Sequence, residues 1–353
     1  MKKNFLKSGY FILVLLCICF TFCSDSVTPK EEESGRRDYV WEIDTLRLDR
    51  DKWFDRYCVI GDDLWLCGSE GGLDNVWHCK NENWIHNLWM FGERPIAIFG
   101  TNENSVWVFT IEGYIFRHRN GEFIKTGKIE IPEYKEVVIQ RVWGKTATDI
   151  YATGYGVYKE PKGDIIANGV ILHYDGTGWK NISLPTIQSL LYTLYPSEEK
   201  GKYYIQGNSL DKSKVNVGQL YLFDGNQIEL LYEDEKSWAK FSGQRCINNE
   251  SYFLYERHIS EYSEGKFVKL INISDSKYTG GFEGRSLKDL FIFAEDGVVH
   301  YNGTDFEYLF NIKSYEKIVD IAIAETIIYV VVKNRENQDY YIYKGKLKEE
   351  ITS

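Results

Sequence analysis

From about residue 40 to the end, the chain repeats short runs of consecutive bulky apolar residues, each set off by polar or Gly positions. Examples are Asp63-Leu64-Trp65-Leu66-Cys67, Ser105-Val106-Trp107-Val108-Phe109, Asp149-Ile150-Tyr151-Ala152-Thr153 and Asp289-Leu290-Phe291-Ile292-Phe293. Such runs, rich in β-branched and aromatic residues and bounded by Gly, Asn and Asp, predict strands. A second set follows at 75–78, 114–117, 170–174, 219–223, 297–301 and 340–343, and each run leads into a turn. The turns read Asn120-Gly121, Asp175-Gly176, Asp224-Gly225, Glu264-Gly265 and Asn302-Gly303, each followed by a bulky residue; weaker copies stand at Asn81-Glu82 and Lys344-Gly345. These seven candidates are spaced by 39, 55, 49, 40, 38 and 42 residues, near the roughly 40 to 50 of a propeller blade.

The repeating unit therefore reads strand, turn, strand, loop, strand, Gly turn, strand. A four-stranded meander cannot bury both faces by itself, and packing copies around an axis solves that while protecting most edges. The expected fold is all-β: a β-propeller of four-stranded antiparallel blades over 39–353, seven in number, with six or eight as the neighbouring counts. Val40 to Leu48 supplies a strand that pairs with the last blade and closes the ring. Composition agrees: 16% aromatic residues with six Pro and two Met suit half-buried strands better than helices or disorder. The formal charge of −10 argues against nucleic acid as a partner, because affinity for phosphates rests mainly on Lys and Arg.

The first 38 residues read differently. Lys2, Lys3 and Lys7 precede an uncharged run from Tyr10 to Phe22, long enough for the apolar part of a signal peptide and short for a bilayer span. With Cys23-Ser24-Asp25 and the polar stretch after it, this segment resembles a bacterial lipoprotein signal. Residues 1–22 would be removed, Cys23 acylated, and 23–38 left as a flexible tether. Cys17 and Cys19 are the other thiols within reach, and a plain cleaved signal or an uncleaved anchor is the alternative. Losing residues 1–22 removes three Lys and no acid, leaving −13; anionic headgroups repel such a chain, so its lipid would have to hold it. Of the remaining thiols, Cys67 and Cys79 fall on neighbouring strands of one hairpin and are read equally as a bridge or as buried thiols.

The stretch Arg141-Val142-Trp143-Gly144 through Asp149-Ile150-Tyr151-Ala152-Thr153-Gly154 to His173-Tyr174-Asp175-Gly176-Thr177-Gly178-Trp179 resembles the β-propeller lipoproteins of Bacteroidota and related bacteria. The opening Arg36-Arg37-Asp38-Tyr39-Val40-Trp41 is similar to the start of the same proteins. The likeness is strong in the third repeat and faint in the fifth, where Glu256-Arg257-His258-Ile259 interrupts the pattern. It implies a propeller anchored by lipid in the outer membrane, on its periplasmic or its outer side. Some members are called glucosyltransferases, but no catalytic motif comes with that label, and a fold does not supply an activity.

Candidate chemistry is sparse. His118, His173 and His300 all sit two positions before the Gly turn, and His78 lies near the same phase. Recurrence at one repeat position places each in a different blade, so packing or turn hydrogen bonding explains them and no metal is expected. Asp149, Asp289 and Ser105 recur before a strand as turn-closing side chains. No acid/base carboxylate pair stands out. Gly68-Ser69-Glu70-Gly71-Gly72 and Gly154-Tyr155-Gly156 lack the strand, helix and Lys context of a phosphate loop and read as hairpin turns. No cofactor is implied.

Function is expected in loops that exceed what the blade needs. Residues 154–169 carry Tyr155, Tyr158, Lys159, Lys162 and Asp164, and residues 207–218 carry Asn208, Asp211, Lys212, Lys214 and Asn216. Meander topology puts both on one rim as neighbours, a polar surface with Lys against an acidic background. A connector, residues 86–91, is a further candidate whose aromatics also fit between blades. The leading expectation is a monomeric, non-enzymatic, lipid-anchored propeller offering this rim to a protein or glycan at the cell envelope. The rival is a carbohydrate-active hydrolase or lyase with carboxylates around the axial opening.

Overall fold

Seven antiparallel meanders of four strands make up the structure, a computed structural model that describes residues 33–46, 52–70, 73–85, 91–159, 165–211, 217–236, 240–275 and 277–348. The first strand, β1 (Tyr39–Leu46), stands apart from its sequence neighbours. Blade 1 holds β2 (Lys52–Ile60), β3 (Asp63–Glu70), β4 (Leu73–Lys80) and β5 (Asn83–Ile85). Blade 2 holds β6 (Pro95–Gly100), β7 (Val106–Thr110), β8 (Tyr114–Arg119) and β9 (Glu122–Lys128). Blade 3 holds β10 (Glu136–Thr146), β11 (Asp149–Lys159), β12 (Ile165–Tyr174) and β13 (Trp179–Asn181). Blade 4 holds β14 (Ser189–Pro196), β15 (Tyr203–Ser209), β16 (Gly218–Phe223) and β17 (Ile228–Glu233). Blade 5 holds β18 (Phe241–Ile247), β19 (Glu250–Tyr255), β20 (His258–Ser263) and β21 (Lys266–Asn272). Blade 6 holds β22 (Tyr278–Ser286), β23 (Asp289–Ala294), β24 (Gly297–Tyr301) and β25 (Phe306–Asn311). Blade 7 has β26 (Glu316–Ile323), β27 (Ile327–Asn334) and β28 (Tyr340–Leu347), and takes β1 as its fourth strand.

The opening strands of successive blades touch one another all the way round, from β2 to β6 and finally from β26 back to β2. They therefore form the inner wall of a seven-bladed β-propeller. Each carries a register shift against its neighbour, as between Phe54 and Arg56, Ile139 and Arg141, Leu191 and Thr193, or Ile318 and Asp320. A bulge bends the strand and raises its twist, which suits the crowded centre of a ring. Burial lies between blades. One apolar cluster sits at each of the seven interfaces, such as Trp65, Cys67, Val76, Val106 and Val108 between blades 1 and 2, or Tyr204, Leu220, Phe241 and Phe253 between blades 4 and 5.

Closure works as the sequence implies, with one consequence. Strand β1 pairs antiparallel with β28, from Tyr39 opposite Leu347 to Leu46 opposite Tyr340. Lys344-Gly345 is therefore inside a strand and not the seventh Gly turn, because the outer strand of that blade arrives from the other end of the chain. A side chain at Gly345 would meet the Trp41 ring, 2.7 Å from the Cβ position. Docking extends ahead of β1: the Gly35 amide donates to the Lys288 carbonyl, and Arg37 bonds the Asp305 carbonyl and pairs with Glu307 in blade 6.

The recurrent His and Asp positions tie strands within blades. His173 bonds Asp149 at 2.8 Å, His300 bonds Asp289 at 2.7 Å, and His78 bonds Asp63 at 3.2 Å. Each imidazole lies against an aromatic ring of the adjacent strand, Tyr151, Phe291 and Trp65 respectively. In blade 2, where Ser105 replaces Asp, His118 Nδ1 meets the Glu103 carbonyl instead. Cys67 and Cys79 do not form a disulfide. Register sets Cys67 opposite Val76 and Cys79 opposite Leu64, and the two thiols pack on opposite faces of the blade, one toward blade 2 and one toward blade 7.

Candidate functional site

In a meander the loop between second and third strands lies on one face, and the other two turns lie on the opposite face. The two long segments singled out above are on that first face, in adjacent blades 3 and 4. Much of what reads as loop is strand: β11 and β12 stay paired out to Lys159 and Ile165, so the blade projects an extended hairpin arm. Gly154 and Gly156 are inside β11 and are not a turn. A Cβ at Gly154 would lie 2.0 Å from the Val138 carbonyl oxygen, and the Tyr134 ring covers Gly156 at 2.3 Å. The fifth blade is the reverse case. Glu256 and Arg257, both at positive φ (46° and 57°), make a two-residue hairpin turn, the tightest connection that the strand twist favours.

Among the predicted residues, Tyr155 is half-buried on β11, and Tyr158 stands beside Tyr134 with ring centres 6.1 Å apart. Lys159 ends β11. Asn208 is 3% exposed on β15, beneath the rim. Asp211 borders a groove of about 340 Å³ along the outer flank with Ser209, Gln219 and Tyr221. Lys162, Asp164, Lys212, Lys214, Asn216 and Cys23 lie outside the described residues. So does most of the connector 86–91, although Phe91 packs on Phe116 and Phe123 between blades 1 and 2.

The two arms meet at a residue that the sequence reading missed. Tyr192 is the extra residue of the β14 bulge, between Leu191 and Thr193. The Thr153 hydroxyl of β11 donates to its carbonyl at 3.1 Å. Its phenol is held above the usual tyrosine range by burial and by Tyr155 beside it, against a hydrogen bond from Asn208 and the positive charge of Arg56. Arg141 lies opposite Thr153 in the ladder, and cross-strand partners share a sheet face. Tyr155, Tyr192, Asn208 and Arg56 thus come together at the mouth of the axis from blades 1, 3 and 4.

Further along the axis is a second polar group. Tyr195, Arg245 and Glu283 occupy one register position on successive inner strands, opposite Tyr204, Tyr252 and Phe291. Arg245 Nε lies 2.5 Å from Glu283 Oε1; the two side chains keep 25% and 18% exposure, the mark of groups lining a narrow central space. Burial raises the Glu283 carboxyl to about 7, with Arg245 opposing and Asp320 adding to the rise. Asp320, from blade 7, is raised by burial against the pull of Arg245 and Arg56. Tyr57 donates to the Ile321 carbonyl at 2.6 Å, and burial, Asp320 and Glu283 push its phenol well up. Charged residues here were detectable in principle, since sister blades place Phe99 and Trp143 at this position. Among the described residues, no three His, Cys, Asp or Glu side chains gather as a metal site.

No family model matches this chain, and no curated protein does. Solved structures do. One described as streptogramin B lyase aligns with a TM-score of 0.61 at 10% identity, covering 88% of this chain and 100% of that one. Another, described as YCF48 bound to D1 peptide, aligns with a TM-score of 0.57 at 11% identity, covering 88% of this chain and 99% of the other. At such identities the likeness establishes architecture and no activity: the chain is a seven-bladed β-propeller of four-stranded antiparallel blades.

Proposed function

We propose that this protein is a binding module whose partner docks on the face bearing the two arms of blades 3 and 4. The observation that carries the reading is the convergence of both arms on Tyr192 at the axial mouth. Recognition surfaces built on loops and hairpins over a rigid scaffold are the common use of such folds. The partner is a protein or a glycan of the cell envelope. The YCF48 structure, similar in fold, is described with a bound peptide, which is in keeping with a binding role for this chain. In this reading the chain is a monomer, belongs with the propeller lipoproteins of Bacteroidota, and is held at the outer membrane through acylated Cys23. Mass spectrometry of the mature N-terminus tests the anchor: an unmodified Cys23, or an N-terminus elsewhere, rejects it.

The rim is tested by replacing 160–164 and 212–216 with two-residue turns, which leaves both ladders intact. The trimmed protein should keep the wild-type melting curve and lose the partners that wild type recovers from envelope extracts. Undiminished recovery rejects the rim. A second reading has one observation behind it: Glu283 and Asp320, both held above the ordinary carboxylate range, bring acidic groups to the axis, as a hydrolase or lyase acting on carbohydrate needs. The direct Arg245–Glu283 pair fits a structural use better. Turnover on a glycan panel that vanishes in Glu283→Gln would favour the enzyme.

A further inference from the structure

The chain ahead of β1 is held more firmly than closing the ring requires. Pairing of β1 with β28 already completes blade 7, yet residues 35–37 are fastened to blade 6 as well. The Gly35 amide donates to the Lys288 carbonyl at 2.7 Å, and a Cβ at Gly35 would lie 2.5 Å from Asp289 Oδ1 and 2.7 Å from His300 Cε1. Arg37, 17% exposed, donates to the carbonyls of His300 and Asp305 at 3.2 and 2.6 Å and to His300 Nδ1 at 3.3 Å, and it pairs with the carboxylates of Asp305 and Glu307. Lys288 belongs to the turn between β22 and β23, and Asp305 to the turn between β24 and β25. Both turns are on the face opposite the arms. Tyr39 enters blade 7 from the same side, beside Leu347, the end of β28 that is remote from its arm-face loop.

We propose that this docked strap turns the face opposite the arms toward the lipid surface and so presents the arms of blades 3 and 4 to the aqueous side. The inference rests on the anchored binding-module reading and deepens it: the partner approaches from solution and is neither a lipid nor a membrane-embedded segment. Ten residues separate Cys23 from Ser34, so an acylated Cys23 keeps the start of the strap within about 40 Å of the bilayer, the limit for a fully extended chain. Undocked, residues 34–38 would add about 18 Å to that reach and leave its direction free. Held by Gly35 and Arg37, the chain leaves the ring at one fixed point. The acidic mature chain gains nothing by laying another face on anionic headgroups, so the exit point decides which face is turned to the membrane.

The test places the full lipidated chain in phosphatidylcholine vesicles that contain a lipid with a nitroxide on its headgroup, and reads quenching of a fluorophore at single cysteines. Cys246→Ser removes the one described thiol that is not buried. Asn226→Cys, in the turn between β16 and β17, reports on the face opposite the arms, and Glu336→Cys, in the loop between β27 and β28, reports on the arm face; both positions are exposed. The label at 226 should be quenched several-fold more strongly than the label at 336. Equal quenching, or stronger quenching at 336, overturns the proposal. Gly35→Val with Arg37→Ser releases the strap and leaves β1 in place, so the difference between the labels should shrink. An unchanged difference, with a melting curve showing the ring intact, would mean that the strap does not set the orientation; the label comparison in wild type stands whether or not this variant folds. Mass spectrometry separates the two readings: a modified Cys23 with equal quenching rejects the orientation alone, whereas an unmodified Cys23 rejects anchor and orientation together.

Discussion

The second and third strands of the blades and the inner wall obey different rules. In blades 1, 3 and 6 the former repeat one device: an Asp at the start of the second strand, a His on the third, and an aromatic ring against that His. On the inner wall, the register position shared by the blades holds Phe99, Trp143, Tyr195, Arg245 and Glu283 in turn. A repeated residue serves what every blade needs, namely a stable sheet. A residue that departs from its sisters is free to serve the molecule as a whole, and the axis is the one place where all seven blades can present such residues together.

The contrast can be broken most decisively at the ring closure. Deleting 33–46 removes β1, exposes the edge of β28 and uncovers Tyr39 and Leu46 contacts. The loss should take several kcal/mol from a fold whose total is about 5 to 15, read as loss of a cooperative melt or a large drop in its midpoint. An unchanged melt would show that closure matters little.

Next in size is a test inside the repeated layer. His300 and Asp289 have 0% and 11% side-chain exposure, against 30% and 39% for His173 and Asp149. Asp289→Ala strands His300 and Arg285, and should cost about 3 to 5 kcal/mol by denaturant unfolding. Asp149→Ala, at the same repeat position, should cost less than about 1 kcal/mol. Equal losses would mean that position in the repeat, and not burial, sets the value of the tie.

The axis should respond to pH instead. Glu283 has a folded value of about 7 against 4.5 for an ordinary Glu, so between those values the native state holds a proton that the unfolded chain has released. Its contribution favours folding most below about pH 4.5 and is lost as pH rises through about 7. Glu283→Gln should therefore gain stability relative to wild type from pH 5 to pH 8, measured as the difference between paired melts. A constant difference would contradict the buried placement of that carboxyl. The smallest expected effect concerns the thiols: because Cys67 and Cys79 face different interfaces, reducing agent should leave the melting temperature unchanged. A fall would reveal a bridge.

Legibility followed the same division. The strand runs, the Gly turns and the closing strand were readable because they recur or sit at a chain end. The Lys344-Gly345 turn and the Gly154-Tyr155-Gly156 turn misled because a Gly-containing sequence is consistent both with a turn and with close approach of a neighbour, here Trp41, Val138 and Tyr134. Only packing tells the two apart. The interruption at Glu256-Arg257 became intelligible as a minimal hairpin once the positive φ angles were seen.

By itself, then, the sequence determined the repeat and the strand-forming pattern, since both follow from local periodicity and turn chemistry; it narrowed the blades to about seven, and the ring closure fixed that number. The tertiary structure alone decided which residues meet at the centre. Tyr192 and Arg56 are 136 positions apart in the chain, Arg56 and Asp320 lie near opposite ends of the ring-forming chain, and none of these pairings leaves a local pattern. They meet because closing the ring brings every inner strand to a common axis, where distance in sequence no longer governs distance in space.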